Sequence, residues 1–105
     1  ELDLELASCQ VETTSSVATS AAQLHTELTA LRRMAAQAAE AVGLRLLALG
    51  LPPVTPHEFP VTDKPRYRQI GDQFGMVAHE QGICGCHVHV QVPDRGAAIH
   101  ASNWL

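Results

Sequence analysis

Basic residues are scarce in this 105-residue chain: seven Lys and Arg stand against eleven Asp and Glu, for a formal charge of −4. With no cluster of Lys or Arg beyond Arg32-Arg33 and Arg66/Arg68, the chain lacks the electrostatic footprint of a DNA- or RNA-binding protein. Long apolar runs are missing too. None approaches the ~20 residues that cross a bilayer, and the first residues have neither the basic start nor the apolar core of a signal peptide. A soluble, cytoplasmic protein without membrane or nucleic-acid partners is therefore expected. Cysteine is limited to Cys9, Cys84 and Cys86, an odd number that argues against a disulfide framework, and all three are expected as buried, reduced thiols. No strand-to-helix turn carries a glycine-rich phosphate loop, which excludes a P-loop or a Rossmann fingerprint. Internal repeats and low-complexity tracts are absent as well.

What stands out instead is residues 82–90, GICGCHVHV. Read as a strand, it sends Cys84, Cys86, Val88 and Val90 to one face and His87 and His89 to the other. Two imidazoles two rises apart, roughly 7 Å, are close enough to serve one ligand; the same pair also fits a solvated strand face. Cys84, Cys86, His87 and His89 are zinc's favoured ligand types. A single strand points two of them away from the other two, whereas a tetrahedral ion needs all four to converge, so a zinc module is the weaker alternative.

In residues 1–12 the apolar parity runs through Leu2, Leu4 and Leu6 and then switches to Cys9 and Val11, which predicts a β-bulge near Ala7 and Ser8 of one strand. Glu1, Asp3 and Glu5 would then share a face with Gln10 and Glu12, either as a carboxylate-lined site or as the outer face of a sheet. Ser20 and Gln23 make a capping box for a helix running to about Val42 and ended by Gly43. Its stripe of Leu24, Leu28, Leu31, Met34 or Ala35, Ala38 and Val42 should cover the sheet, leaving His25, Glu27 and the arginines on the solvated side.

Residues 44–49 are apolar on both sides apart from Arg45 and predict a central second strand. Residues 51–65, dense in Pro, Thr and Asp, predict a loop without regular structure that exposes His57 and Glu58. A second helix should open at Lys64 and Pro65, keep Tyr67, Ile70, Phe74 and Val77 in register, and close at Gly82, with Gly71 and Gly75 weakening it. Arg66 and Arg68 stand at its mouth, placed for an anionic group or for solvent. Residues 83–92 form the third strand, and Asp94 caps a last helix from about Arg95. The expected fold is a single α+β domain over 1–105 in the order β-α-β-α-β-α, two layers, with a mostly antiparallel sheet and helices on one face. Placed side by side, the strands of Glu5/Glu12 and His87/His89 would present carboxylates and imidazoles together, a combination suited to a divalent cation and a phosphate.

The segment CGCHVHVQVPDRGAAIHASNWL closely resembles the carboxylate-amine ligases of glutamate-cysteine ligase family 2, which carry a Cys-Gly-x-His-x-His-Val strand followed by a Pro-Asp-Arg helix start. QVETTSSVATSAAQLHTELTALRRMAAQAAEAVGLRLLALG is similar to that family's strand, long helix and second strand, and RYRQIGDQFG to its next helix. The resemblance implies part of a glutamine synthetase-like catalytic domain. Its activity would be that of an ATP-dependent ligase that converts the γ-carboxylate of glutamate to an acyl phosphate for attack by an amine such as that of cysteine. It further implies Mg2+ at the phosphates, Glu12 and His87 as metal ligands with Glu5 as a weaker one, and His89 as a phosphate contact. Family members begin with a further glutamate-rich strand and continue well beyond the last residues here, so the chain is expected to be an inactive piece of a larger protein. LGLPPV stands where the family commonly has Thr-His-Pro, which leaves a non-catalytic binding or assembly domain as an alternative. Cut sheet edges also invite pairing, so a homo-oligomer is expected to be accessible.

Overall fold

The structure is a computed structural model and describes residues 2–105. Its first element is a hairpin: β1 (Leu2–Leu4) pairs antiparallel with β2 (Val11–Thr13), with Leu2 opposite Thr13, Asp3 opposite Glu12 and Leu4 opposite Val11. This corrects the single bulged strand expected over residues 1–12. The parity switch comes from a chain reversal, closed by the Gln10 N–H donating to the Ala7 carbonyl at 2.9 Å and the Glu5 N–H reaching the Gln10 carbonyl at 3.5 Å. The reversal preserves the composition of the polar face, because directly opposed residues of an antiparallel pair lie on the same side. Asp3 and Glu12 share that face, and Glu5 and Gln10 continue it toward the turn. Glu1, the other carboxylate expected there, lies outside the described residues.

The loop over 51–65 is mostly irregular, as its composition requires, yet its end docks on the hairpin turn. Val61 bridges Ala7 antiparallel, the Ser8 N–H donates to the Pro60 carbonyl at 2.8 Å, and the Thr62 N–H donates to the Leu6 carbonyl at 2.8 Å. Thr62, the one buried polar residue among those described, gives its hydroxyl proton to the Glu5 carbonyl, so it carries no unsatisfied donor into the interior. The buried apolar residues are Ala7, Leu31, Ala35, Phe59 and Ala78.

α1 (Ala21–Ala41) packs against β2. Ser20 caps it by accepting from the Gln23 N–H at 3.2 Å, and the Gln23 side chain reaches back to the Thr19 N–H at 3.0 Å, one residue before the position a strict capping box would use. Gly43, at φ 75°, turns the chain after the helix, a conformation that glycine adopts without a Cβ clash. Only the middle of the expected stripe is buried, at Leu31 and Ala35; Leu28, Met34 and Val42 stay exposed. Glu27, expected among the solvated residues, instead receives the Ser16 N–H at 2.6 Å and the Ser16 hydroxyl at 2.9 Å. Those bonds hold its carboxyl below the usual range and pin the preceding loop to the helix.

The second helix is shorter than its apolar spacing predicts. α2 (Pro65–Phe74) starts with proline in its first turn and breaks at Gly75, at φ 52°, and α3 (Met76–His79) follows. Phe74 and Val77 are therefore exposed rather than inward. Gly82 lies under Phe59, where a Cβ would overlap the aromatic ring. α4 (Arg95–Ser102) begins where expected, with Asp94 accepting from the Ala97 N–H at 2.9 Å.

The described residues thus form an α+β arrangement with one two-stranded antiparallel sheet. Residues 44–49 and 83–92, expected as the second and third strands, belong to neither sheet nor helix. Alternation of side chains reports which faces a segment can present; a ladder also needs a partner whose backbone groups are in register. All three cysteines are free and exposed, contrary to the buried packing role expected, because Cys9 sits in the hairpin turn and Cys84 and Cys86 sit on the unladdered segment. Among the described residues, no helix is long and apolar enough to cross a membrane.

Candidate functional site

His87 and His89 lie together as their spacing predicts. Their ring centroids are 6.3 Å apart with planes at 57°, and the His87 imidazole lies alongside Gly85, which places residues 85, 87 and 89 on one side of the segment. Both rings are exposed. The segment is tied to the hairpin at its start, where the Gln10 side-chain amide donates to the Ile83 carbonyl at 3.0 Å. Gln10 belongs to the carboxylate-bearing side of the hairpin, so this bond joins the two stretches that carry the predicted acids and imidazoles. Sequence reasoning placed Gln10 on that face and missed its tie to Ile83, since amide side-chain bonds between distant segments leave no local pattern.

On the hairpin, Glu12 is exposed opposite Asp3. Asp3 is engaged by Lys64, whose Nζ lies 2.5 Å from its Oδ1, 3.4 Å from the Leu4 carbonyl, and 5.7 Å from the centre of the Tyr67 ring. The Lys64 hydrogen bond, helped by the Leu4 N–H, holds the Asp3 carboxyl below its ordinary value, and the same contact raises Lys64. With Asp3 held by Lys64, Glu12 offers hard carboxylate oxygens on that face. Glu5 is half-buried beside the turn, its carbonyl occupied by Thr62.

The fit to metals is decided by convergence. Among the described residues no three His, Cys, Asp or Glu side chains gather into a group that could hold an ion. Cys84, Cys86, His87 and His89 therefore do not form a zinc knot. Glu5, Glu12 and His87 likewise do not form a three-ligand magnesium centre within these residues; the carboxylates have the right donor chemistry, without the assembly. Of the two arginines at the mouth of α2, Arg68 is paired with Asp63, and Arg66 is exposed. An open depression of about 430 Å³ lined by Thr55, Pro56, His57, Phe59 and Glu80 contains none of the predicted site residues.

These 105 residues, with their paired histidines and carboxylate hairpin, match the model of glutamate-cysteine ligase family 2 across residues 2–105. The chain belongs to that family. It is 67% identical over its whole length to a protein from Mycolicibacterium vanbaalenii provisionally named glutamate–cysteine ligase 2-2, of which it covers 29%. A Mycolicibacterium smegmatis protein provisionally named glutamate–cysteine ligase 2-3 is 62% identical, with 29% covered, and a Nocardia farcinica protein provisionally named glutamate–cysteine ligase 2-1 is 56% identical, with 27% covered. Both identities likewise extend over all 105 residues. The chain thus spans less than a third of the length of these family 2 relatives. No solved structure matches it.

Proposed function

We propose that this chain is the segment of an ATP-dependent carboxylate-amine ligase that contributes imidazole and carboxylate groups to the nucleotide site. The family match over residues 2–105 carries this reading. In the reaction, a carboxylate oxygen of glutamate attacks the γ-phosphorus of ATP, ADP leaves, and a γ-glutamyl phosphate forms. The amine nitrogen, as in cysteine, then attacks the acyl carbon, inorganic phosphate departs, and the nitrogen gives up its proton as the amide bond closes. Such phosphoryl transfer depends on placing donors around developing negative charge more than on a covalent nucleophile.

On this chain His89 contacts a phosphate oxygen, with His87 beside it. Glu12 and His87, and more weakly Glu5, would each supply a donor to a magnesium ion whose remaining ligands would come from the longer protein. Such an ion would supply neutralisation of phosphate charge. Arg66 is placed for an anionic substrate group and Arg68 can join it by exchanging Asp63 for that ligand. The finer topology of the catalytic domain, a β-α-β-α-β-α sheet in the glutamine synthetase-like manner, belongs to the same reading. So do a cytoplasmic location, a homo-oligomeric state and inactivity of the 105 residues in isolation. The replacement of Thr-His-Pro by LGLPPV favours one second reading, a binding or assembly domain that kept the fold and lost turnover.

The test is ATP-dependent phosphate release by the full-length protein with glutamate and a panel of amines. The ligase reading requires release that depends on both glutamate and an amine. Absence of release with every amine, in folded protein, would select the second reading.

A further inference from the structure

Residues 44–49 and 83–92 are unladdered, yet one hydrogen bond already clasps their ends. The Cys84 N–H donates to the Gly50 carbonyl at 3.0 Å. In an antiparallel pair a bond of this kind joins directly opposed residues, so it sets a register in which residue numbers sum to 134. Extending that register away from Gly50 and Cys84 opposes Ala48 to Cys86, Leu46 to Val88 and Leu44 to Val90 on one face. The other face then holds Leu49 against Gly85, Leu47 against His87 and Arg45 against His89. The sorting is complete: every pair on the first face is apolar, and the polar groups all fall on the second. A slip of one residue would set Arg45 against Val88 and Leu46 against His87, destroying the separation. Leu44, Leu46, Val88 and Val90 are 64, 40, 77 and 77% exposed as they stand, apolar surface that this pairing would gather onto one face. The observed grouping of Gly85, His87 and His89 on one side agrees with the faces this register requires.

From this geometry we infer that residues 44–50 zip antiparallel onto residues 84–90, and that Arg45 thereby stands beside His89 as a second donor to a phosphate group. Arg45 and His89 form a non-hydrogen-bonded pair, the kind whose side chains approach more closely. A guanidinium is always charged and offers a planar fork to phosphate oxygens, which the exposed imidazole alone does not. The pairing stands on the register alone; the phosphate role of Arg45 rests on the ligase reading.

Two arms of one experiment on the full-length protein separate these. In a Cys9→Ser, Cys84→Ser background, Ala48→Cys is oxidised mildly and the linked peptides are read by mass spectrometry. An intramolecular link between positions 48 and 86 is expected, with none from Leu47→Cys, which faces the other way. No link, equal links from both variants, or a link only between two molecules overturns the pairing. In the second arm, Arg45→Ala should raise the KM for ATP, or the Kd for ATP alone by calorimetry, about tenfold. The KM for glutamate should stay unchanged, and Arg45→Lys should recover part of the loss. An unaltered ATP affinity overturns the role of Arg45. Failure of the ligase reading is recognised separately, as wild-type protein that binds ATP but releases no phosphate.

Discussion

Replacing Gly82 by alanine adds one methyl group against the far edge of the Phe59 ring, closer than a Cβ can sit unless the ring shifts. Phe59 is buried, and its backbone N–H is anchored to the His79 carbonyl at 2.7 Å, so relief must come from turning the ring out of its packed position. Gly82 has no positive φ to relieve, which makes the effect steric rather than conformational. If the ring is expelled, the loss approaches the burial of a phenylalanine side chain, about 1.5–3 kcal/mol. If it stays, overpacking costs about 1–3 kcal/mol. Against either, alanine stiffens the unfolded chain and returns about 0.4–1 kcal/mol. A net destabilisation of roughly 1–2 kcal/mol is expected, read as a lower denaturant midpoint at unchanged slope. The decisive comparison is Gly82→Ala in a Phe59→Ala background, where the clash is gone and the substitution should be neutral or slightly stabilising. Equal losses in both backgrounds would refute the packing argument, as would a wild-type midpoint in the single variant. Because Gly82 directly precedes the histidine-bearing segment, the single variant should also reduce turnover of the full-length protein.

Ser20→Ala removes the acceptor for the Gln23 N–H and should destabilise by about 1 kcal/mol, with faster amide exchange at Gln23. The Asp3–Lys64 pair gives a pH signature. Asp3 titrates below its ordinary 3.8 when folded, so its contribution is complete above that value and fades as pH falls through the folded value; Lys64 titrates above its ordinary 10.5, so the pair also weakens as pH rises beyond that. The stability difference between wild type and Asp3→Asn should accordingly be flat near neutrality and close at both extremes. A difference that grows in acid would contradict the assignment.

The helices were the most legible part of the chain because their ends are written in local chemistry. Ser20, Gly43 and Asp94 act where their side chains or lack of one demanded. The hairpin reads as a bulged strand because residues 7–9, Ala-Ser-Cys, carry no Gly, Pro, Asn or Asp, only the weaker turn former Ser8, and a tight reversal switches parity just as a bulge does. Gly75 was recognisable as a weak point in the second helix, but whether a glycine merely weakens a helix or breaks it depends on what packs around it. The two histidines are legible from alternation alone, and their common side survives in the structure without a ladder. The common face of Asp3 and Glu12 was legible despite the wrong strand, since a hairpin and a bulged strand both place them on one side. Exposure of the three thiols was not legible, because burial there depends on partners for residues 83–92 that no local pattern specifies.

The central claim is that His87 and Glu12 serve nucleotide chemistry, and substitution in the full-length protein tests it most directly. With glutamate, a productive amine, Mg2+ and ATP, His87→Ala and Glu12→Ala should each lower phosphate release by roughly a hundredfold or more, the scale of losing a preorganised transition-state contact. Their unfolding midpoints should stay close to wild type, because both side chains are exposed. Wild-type rates in both variants would contradict the claim.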